Sequence, residues 1–225
     1  MTTKGQRPPA AFLVFEGLDG SGKSTLIRKL SDELTSRGRG FRLTREPGGT
    51  PLAEDIRRLL LRTDAEAPVA ATELLLYAAS RAQHVANVIK PTLEAGEWIL
   101  CDRFIASSVA FQCFARGLPR KDVDWLNTFA CQGAKPDLTI LLDLTVEQSR
   151  KRQERRQGAG QQPDDPKGDR MERESIAFHE NVRRGYLEQA KEDPKAWLVL
   201  DANQTPDEMK ARVLTELEAR GWLVS

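Results

Sequence analysis

The stretch that decides the fold is Ala11–Leu30, AFLVFEGLDGSGKSTLIRKL. Phe12–Phe15 is a short apolar run of the kind a buried parallel strand needs. Gly17-Leu18-Asp19-Gly20-Ser21-Gly22-Lys23-Ser24 follows, fitting G-x-x-x-x-G-K-[ST], with Thr25 behind it. Leu26, Ile27, Leu30 and Leu34 then recur at helical spacing. Strand, glycine turn and helix together make a phosphate-binding loop. Glycines let backbone N–H groups turn inward with no Cβ in the way, and the helix offers its N-terminal N–H groups and dipole to an anion. Lys23 would reach the outer phosphates of a nucleoside triphosphate, and Ser24 would ligate Mg²⁺.

Outward from this stretch, segments of strand and helix character alternate. Strands are predicted at Phe41–Thr44, Trp98–Asp102, Leu138–Leu144 and Trp197–Leu200. Helices are predicted over Leu52–Leu61, Ala70–Leu93 with a break near Pro91, Ser107–Phe114, Asp122–Cys131, Val146–Arg156, Asp169–Lys191 and Pro206–Arg220. Such alternation implies an α/β fold, with one parallel sheet covered by helices on both faces. Ligands in such sheets bind beyond the carboxyl ends of the strands. The phosphate loop, Arg45-Glu46 and Asp102-Arg103 all follow strands directly, so they should converge on one crevice.

The chain has 225 residues and a formal net charge of +1, which suits one globular domain and supplies no bulk field toward nucleic acid or membrane. Residues 1–10 read as a disordered tail and 11–225 as a single domain. Cys101, Cys113 and Cys131 form no C-x-x-C pair, and His84 and His179 lie far apart. That pattern disfavours structural zinc and suits a reduced, cytoplasmic setting, with each cysteine a small buried hydrophobe. No apolar run approaches the length of a membrane span.

Asp102 ends an apolar strand, where a carboxylate can hold Mg²⁺ directly or through water; the competing reading is a helix cap. Arg103 beside it suits bidentate phosphate contact. Arg45 occupies the same edge before a turn set by Pro47, Gly48 and Gly49; its plain alternative is a surface pair with Glu46 or Glu54. Arg150, Lys151, Arg152, Arg155 and Arg156 run into GAGQQPDDPKG, residues 158–168. A solvated helix face explains most charge runs, but this one is followed by a Gly/Pro loop, as in a mobile lid at about 150–170. Tyr77 and Arg81 share a helix face, able either to stack on and hydrogen-bond a base or to serve as core.

Five blocks in order resemble the thymidylate kinase family. They are Phe15–Thr25; Thr44-Arg45-Glu46-Pro47-Gly48-Gly49-Thr50; Tyr77-Ala78-Ala79-Ser80-Arg81; Asp102-Arg103 with Ser107, Ser108, Ala110, Phe111 and Gln112; and Pro136-Asp137-Leu138-Thr139 running to Leu142-Asp143. The resemblance implies a three-layer sandwich like that of phosphate-loop NTPases, with a five-stranded parallel sheet and a lid. It implies transfer of a phosphoryl group from ATP to dTMP with Mg²⁺, in a cytoplasmic homodimer that takes neither nucleic acid nor membrane as partner. ATP would lie on Gly17, Leu18, Asp19, Gly20, Ser21, Gly22, Lys23, Ser24 and Thr25, with Ser24 and Asp102 toward the metal. Asp19 would lie near the sugar 3′-hydroxyl of dTMP. Arg45 and Arg103 would hold phosphates, with Pro47 shaping the turn. Tyr77 would stack on thymine and Arg81 bond its edge. Ser107, Ser108 and Gln112 would line the base pocket, and Phe111 would exclude a ribose 2′-hydroxyl. Lacking an arginine in the phosphate loop, the chain resembles the bacterial type with lid arginines, Arg155 or Arg156 being candidates. Asp169 and Glu172 would add to a metal or water shell.

The rival readings are a kinase of another nucleotide or deoxynucleoside, a nucleotide binder without turnover, and a regulatory GTPase. The last would require an N-K-x-D motif, which the sequence lacks.

Overall fold

The computed structural model describes residues 10–158 and 170–223, with the side chains of 156–158 left aside. Five strands, β1 (Phe12–Glu16), β2 (Phe41–Arg45), β3 (Trp98–Asp102), β4 (Leu138–Asp143) and β5 (Trp197–Asp201), form one sheet in the order β2-β3-β1-β4-β5. Every pairing is parallel, with Phe15 opposite both Asp102 and Ile140. The central strand β1 is buried along its whole length. Its side chains alternate: Leu13 and Phe15 face one apolar layer with Leu26, Leu30 and Val213, while Phe12 and Val14 face another with Val85, Ile89 and Phe104. A sheet buried on both faces explains why its central strands read as unbroken apolar runs.

The helices are α1 (Lys23–Ser36), α2 (Pro51–Leu61), α3 (Ala70–His84), α4 (Lys90–Glu94), α5 (Ile105–Ser108), α6 (Arg120–Cys131), α7 (Val146–Gly158), α8 (Ile176–Glu192) and α9 (Pro206–Ala219). Two predicted boundaries are corrected. The long helix does not break at Pro91. A π-helical turn, Val85–Ile89, precedes it, and Lys90 N–H donates to Val85 O five residues back. This widened turn leads into a helix with Pro91 near its start, where a missing N–H is tolerated. The predicted helix at Asp169–Lys191 begins only at Ile176. Ser175 caps it, Oγ accepting from Phe178 N–H at 3.1 Å, and 170–174 is a turn. Asp169 lies outside the described residues, as does most of the predicted lid loop.

A second π-helical turn, Val109–Ala115, continues α5 and packs against α8. The approach is tight at Gly185, where a Cβ would lie 2.9 Å from both Ala110 Cα and the Phe114 ring. Among the described residues, no helix is long and apolar enough to cross a membrane.

Candidate active site

The phosphate loop leaves the carboxyl end of the central strand. Gly17, Gly20 and Gly22 all have φ in the left-handed range. At Gly17 a Cβ would stand 2.5 Å from Leu142 O, so a side chain there would push the loop off β4. Gly22 precedes α1 and supplies no side-chain cap. The first N–H groups of α1 are therefore left for an anion rather than satisfied by a serine or threonine oxygen. Lys23, almost fully buried, folds over the loop: its Nζ donates to Gly17 O at 3.0 Å and Leu18 O at 3.2 Å and lies 3.7 Å from Asp19 Oδ1. Burial and the neighbouring Arg103 charge lower its pKa against the pull of Asp102, Asp19 and Glu16. Ser24 is exposed and Thr25 half-buried.

Asp102 sits on β3 beside β1. Among the described residues two buried side-chain polar atoms have no hydrogen-bond partner, Asp102 Oδ1 and Ser21 Oγ. Buried polar groups are rarely left so, and both belong to residues assigned to the nucleotide and its metal. No group of three or more His, Cys, Asp or Glu side chains with metal-binding geometry occurs among the described residues. A Mg²⁺ held by one carboxylate, one hydroxyl and substrate phosphates needs no such group, so the residues present fit that ion.

Arg103 is the hub of the crevice. Its Nη2 donates to Asp19 Oδ1 at 2.8 Å, its Nη1 to Tyr186 Oη at 2.9 Å and to Ser107 Oγ at 3.4 Å. The guanidinium lies over the Phe111 ring, 5.4 Å from its centroid. The backbone at Arg103 has φ 69°, a left-handed conformation that costs a non-glycine residue about 1 kcal/mol or more. Its N–H still donates to Phe15 O at 3.0 Å. The site thus holds the arginine against local preference. Glu16, fully buried at the end of β1, accepts from the N–H groups of Phe104 and Ser107 and from Ser107 Oγ at 2.7 Å. Burial raises its pKa, opposed by Arg103 and these donors. Burial pushes the Asp19 carboxyl upward too, but the Arg103 and Lys23 charges prevail and hold it well below the usual range.

A second network stands behind the Pro-Gly-Gly turn. Glu46, buried, accepts from Arg81 Nε at 2.8 Å and pairs with His84 Nδ1 at 2.9 Å, while His84 Nε2 meets Thr44 Oγ1 at 2.7 Å. Arg81 is itself buried. It donates further to Asn127 Oδ1, to Phe104 O and to Ser108 Oγ. Arg45 is exposed and pairs with Glu54 at 3.1 Å, the surface contact foreseen as its alternative. Pro47 is buried, its carbonyl accepting from Arg57. Tyr77 and Phe111 are half-buried; Ser108 and Gln112 are buried.

The arginine-rich helix α7 docks directly on the phosphate loop. Ser149 Oγ and Gln153 Nε2 donate to Asp19 O, and Arg152 donates to Gly20 O at 3.4 Å and Ala202 O at 2.8 Å. Arg155 is exposed, and the Arg156 side chain lies outside the described residues. Glu172 is half-buried in the turn before α8.

Several residues that shape the site gave little signal in the sequence. Tyr186 lies at helical spacing with Phe178 and Val182 and reads as core, which it is apart from its hydroxyl. Glu16, Glu46 and Glu73 are single carboxylates in otherwise apolar or motif contexts. Their unusual burial, rather than any spacing, marks them.

The carboxyl edge of the sheet thus brings together a glycine-rich loop before a helix N-terminus, the Lys23 and Arg103 cations, and the Phe111 ring. Comparisons with known proteins show the family. The sequence profile of the thymidylate kinase family matches residues 15–213. The thymidylate kinase of Bdellovibrio bacteriovorus is 54% identical over 209 residues, 93% of this chain and 96% of that one. That of Syntrophotalea carbinolica is 45% identical over 202 residues, 90% and 92% of the two chains. The crystal structure of thymidylate kinase from Ehrlichia chaffeensis superposes with a TM-score of 0.71 at 31% identity, covering 93% of this chain and 99% of that one. With the profile, the relatives and the solved fold all matching over nearly the whole length, this chain belongs to the thymidylate kinase family.

Proposed function

We propose that this protein phosphorylates dTMP to dTDP with ATP, a step in dTTP synthesis, through the residues gathered at the carboxyl edge of the sheet. The observation that carries the reading is the Asp19–Arg103–Tyr186–Ser107 cluster beside the phosphate loop, beneath the Phe111 ring. An anionic phosphate oxygen needs no strong general base, so positioning and charge neutralisation should supply most of the rate. Lys23 would leave the loop carbonyls for the β- and γ-phosphates. Arg103 would turn part of its fork from Asp19 to the dTMP phosphate, and Arg45 would leave Glu54 to assist. Asp19 would then be freed toward the sugar. A Mg²⁺ held by Ser24 and Asp102 would supply neutralising charge on the donor phosphates. Arg155 or Arg156 is proposed to bring positive charge to the transferred group from a lid at about 150–170, beyond Arg152 on the loop carbonyl of Gly20. ADP production in a coupled assay across dTMP, dUMP, CMP, AMP and GMP tests the reading; a preference for another acceptor sinks it.

Phe111 is proposed to read the sugar. It packs edge-on to Tyr186, ring centroids 6.4 Å apart, and tilted on Phe178 at 6.0 Å. That leaves a bulky, braced ring beside Arg103. Phe111→Ala is expected to lower the ratio of kcat/KM for dTMP over its ribo counterpart roughly tenfold, because a hydroxyl then finds room. An unchanged ratio makes Phe111 ordinary core.

A homodimer is the proposed assembly, and the cytoplasm the proposed setting. Trp125 and Phe129 on α6 stack with centroids 5.8 Å apart, yet are 67% and 68% exposed. The neighbouring α3, packed on α6, exposes Leu75, and Val69 just before it is exposed as well. A cluster of this kind is what a protein–protein interface buries. The expected result is a dimer in sedimentation that Trp125→Glu with Phe129→Glu converts to monomer. A monomeric wild-type protein at micromolar concentration removes the proposal.

A further inference from the structure

Two rows of side chains face each other beside the crevice. On α3, Glu73, Tyr77 and Arg81 recur every four residues; on α5, the π-helical turn after it and the residue that caps that turn, Ser108, Gln112 and Arg116 do the same. The rows meet antiparallel. Arg81 Nη2 donates to Ser108 Oγ at 3.1 Å at one end. At the other, Glu73 accepts from Gln112 Nε2 at 2.8 Å and from Arg116 Nη2 at 3.1 Å. Tyr77, the residue read as the base-stacking ring, lies between the two ends on its row.

Glu73 is fully buried, and Arg170 Nη2 clamps its second oxygen at 2.6 Å. Arg116 is fixed in turn by Glu174 at 2.6 Å and by the Phe178 ring beneath its guanidinium. A carboxylate pinned between two arginines accepts hydrogen bonds and donates none. A carboxamide next to it has one stable orientation, with its NH₂ toward the carboxylate. The amide oxygen must then lie on the opposite prong, away from Glu73. Among the described residues nothing donates to Gln112 Oε1.

We propose that Glu73 sets base specificity by fixing which end of the Gln112 carboxamide is presented to the acceptor nucleotide's base. With Oε1 presented, the site offers an acceptor. Thymine and uracil carry a donor at ring N3; cytosine carries an acceptor there. A site with a fixed acceptor rejects a base whose own acceptor would face it, since both groups would be left unpaired in a dry pocket. Glu73 is thus a positioning residue: it acts through Gln112 and touches no substrate. The inference rests on the dTMP reading above.

Glu73→Gln tests it. The introduced amide can accept from the arginines with its oxygen and turn its NH₂ to Gln112, whose carboxamide then reverses and presents a donor. The quantity to measure is the ratio of kcat/KM for dTMP to that for dCMP. It is expected to fall at least tenfold, carried by KM, with dCMP improving in absolute terms or losing far less than dTMP. If both substrates lose equally and the ratio holds, Glu73 is only a structural carboxylate and the proposal is overturned. Should E73Q fail to fold, Glu73→Asp keeps the charge between the arginines but withdraws the carboxylate from the Gln112 amide. A dTMP/dCMP ratio lowered several-fold through KM in E73D supports the proposal, and an unchanged ratio overturns it. A wild-type enzyme that does not prefer dTMP fails the functional reading instead, so the two failures are told apart in one assay.

Discussion

Replacing Arg103 by alanine should lower kcat/KM for dTMP by a hundredfold to a thousandfold, on the order of 2.7–4 kcal/mol of transition-state stabilisation. The size follows from what the guanidinium touches. It balances Asp19, holds the Tyr186 hydroxyl and lies over Phe111, so its loss also leaves partly buried partners unmatched. Arg103→Gly separates chemistry from backbone. Both variants lack the fork, but only glycine sheds the cost of φ 69°. Arg103→Gly should therefore be as inactive as Arg103→Ala and more stable in thermal unfolding, by about 1 kcal/mol. Near-normal turnover in either folded variant would remove Arg103 from the phosphate site.

Lys23→Ala is expected to cost at least a hundredfold in kcat, with the fold retained. Among the described residues Lys23 hydrogen-bonds or pairs with the loop's own carbonyls and Asp19, and both carbonyls belong to a turn already shaped by glycines. Stability should change little, while the charge that follows the transferred group disappears. Steady-state kinetics beside a melting curve decide this. A variant with kcat intact and only KM for ATP raised would mean that Lys23 binds ground state and transition state alike.

The sheet and the phosphate loop were legible because they are local. Apolar runs of strand length followed by a glycine turn or a helical repeat need no knowledge of distant residues, and only the edge strand β2, FRLTR, lacks such a run. Asp102-Arg103 was legible for the same reason: charge directly after an apolar strand can only fall at the carboxyl edge. What the sequence could not show is pairing across long separations. Glu16 meets Ser107, Glu46 meets Arg81, and Glu73 meets both Gln112 and Arg170. Each carboxylate looks like a surface residue until the fold buries it. The π-helical turns were hidden too, since a widened turn keeps the apolar content of an ordinary helix. The start of α8 was misplaced because charged residues at 170–174 suit a helix, and only the Ser175 cap shows where the backbone turns. On the functional side, the spacing of Tyr77 and Arg81 showed a shared face. It did not show that Arg81 would be buried and engaged by Glu46, Asn127 and Ser108.

The close approach at Gly185 has a reach beyond packing. The residue after it, Tyr186, is the one whose hydroxyl steadies Arg103, so the distance between α8 and the turn at Val109–Ala115 also sets where the arginine fork points. A single methyl group at position 185 would act as a shim: with Ala110 backbone 2.9 Å away, the helix itself has to back off. Gly185→Ala is therefore expected to move Tyr186, and through its hydroxyl the Arg103 fork, although residue 185 itself makes no contact with that arginine.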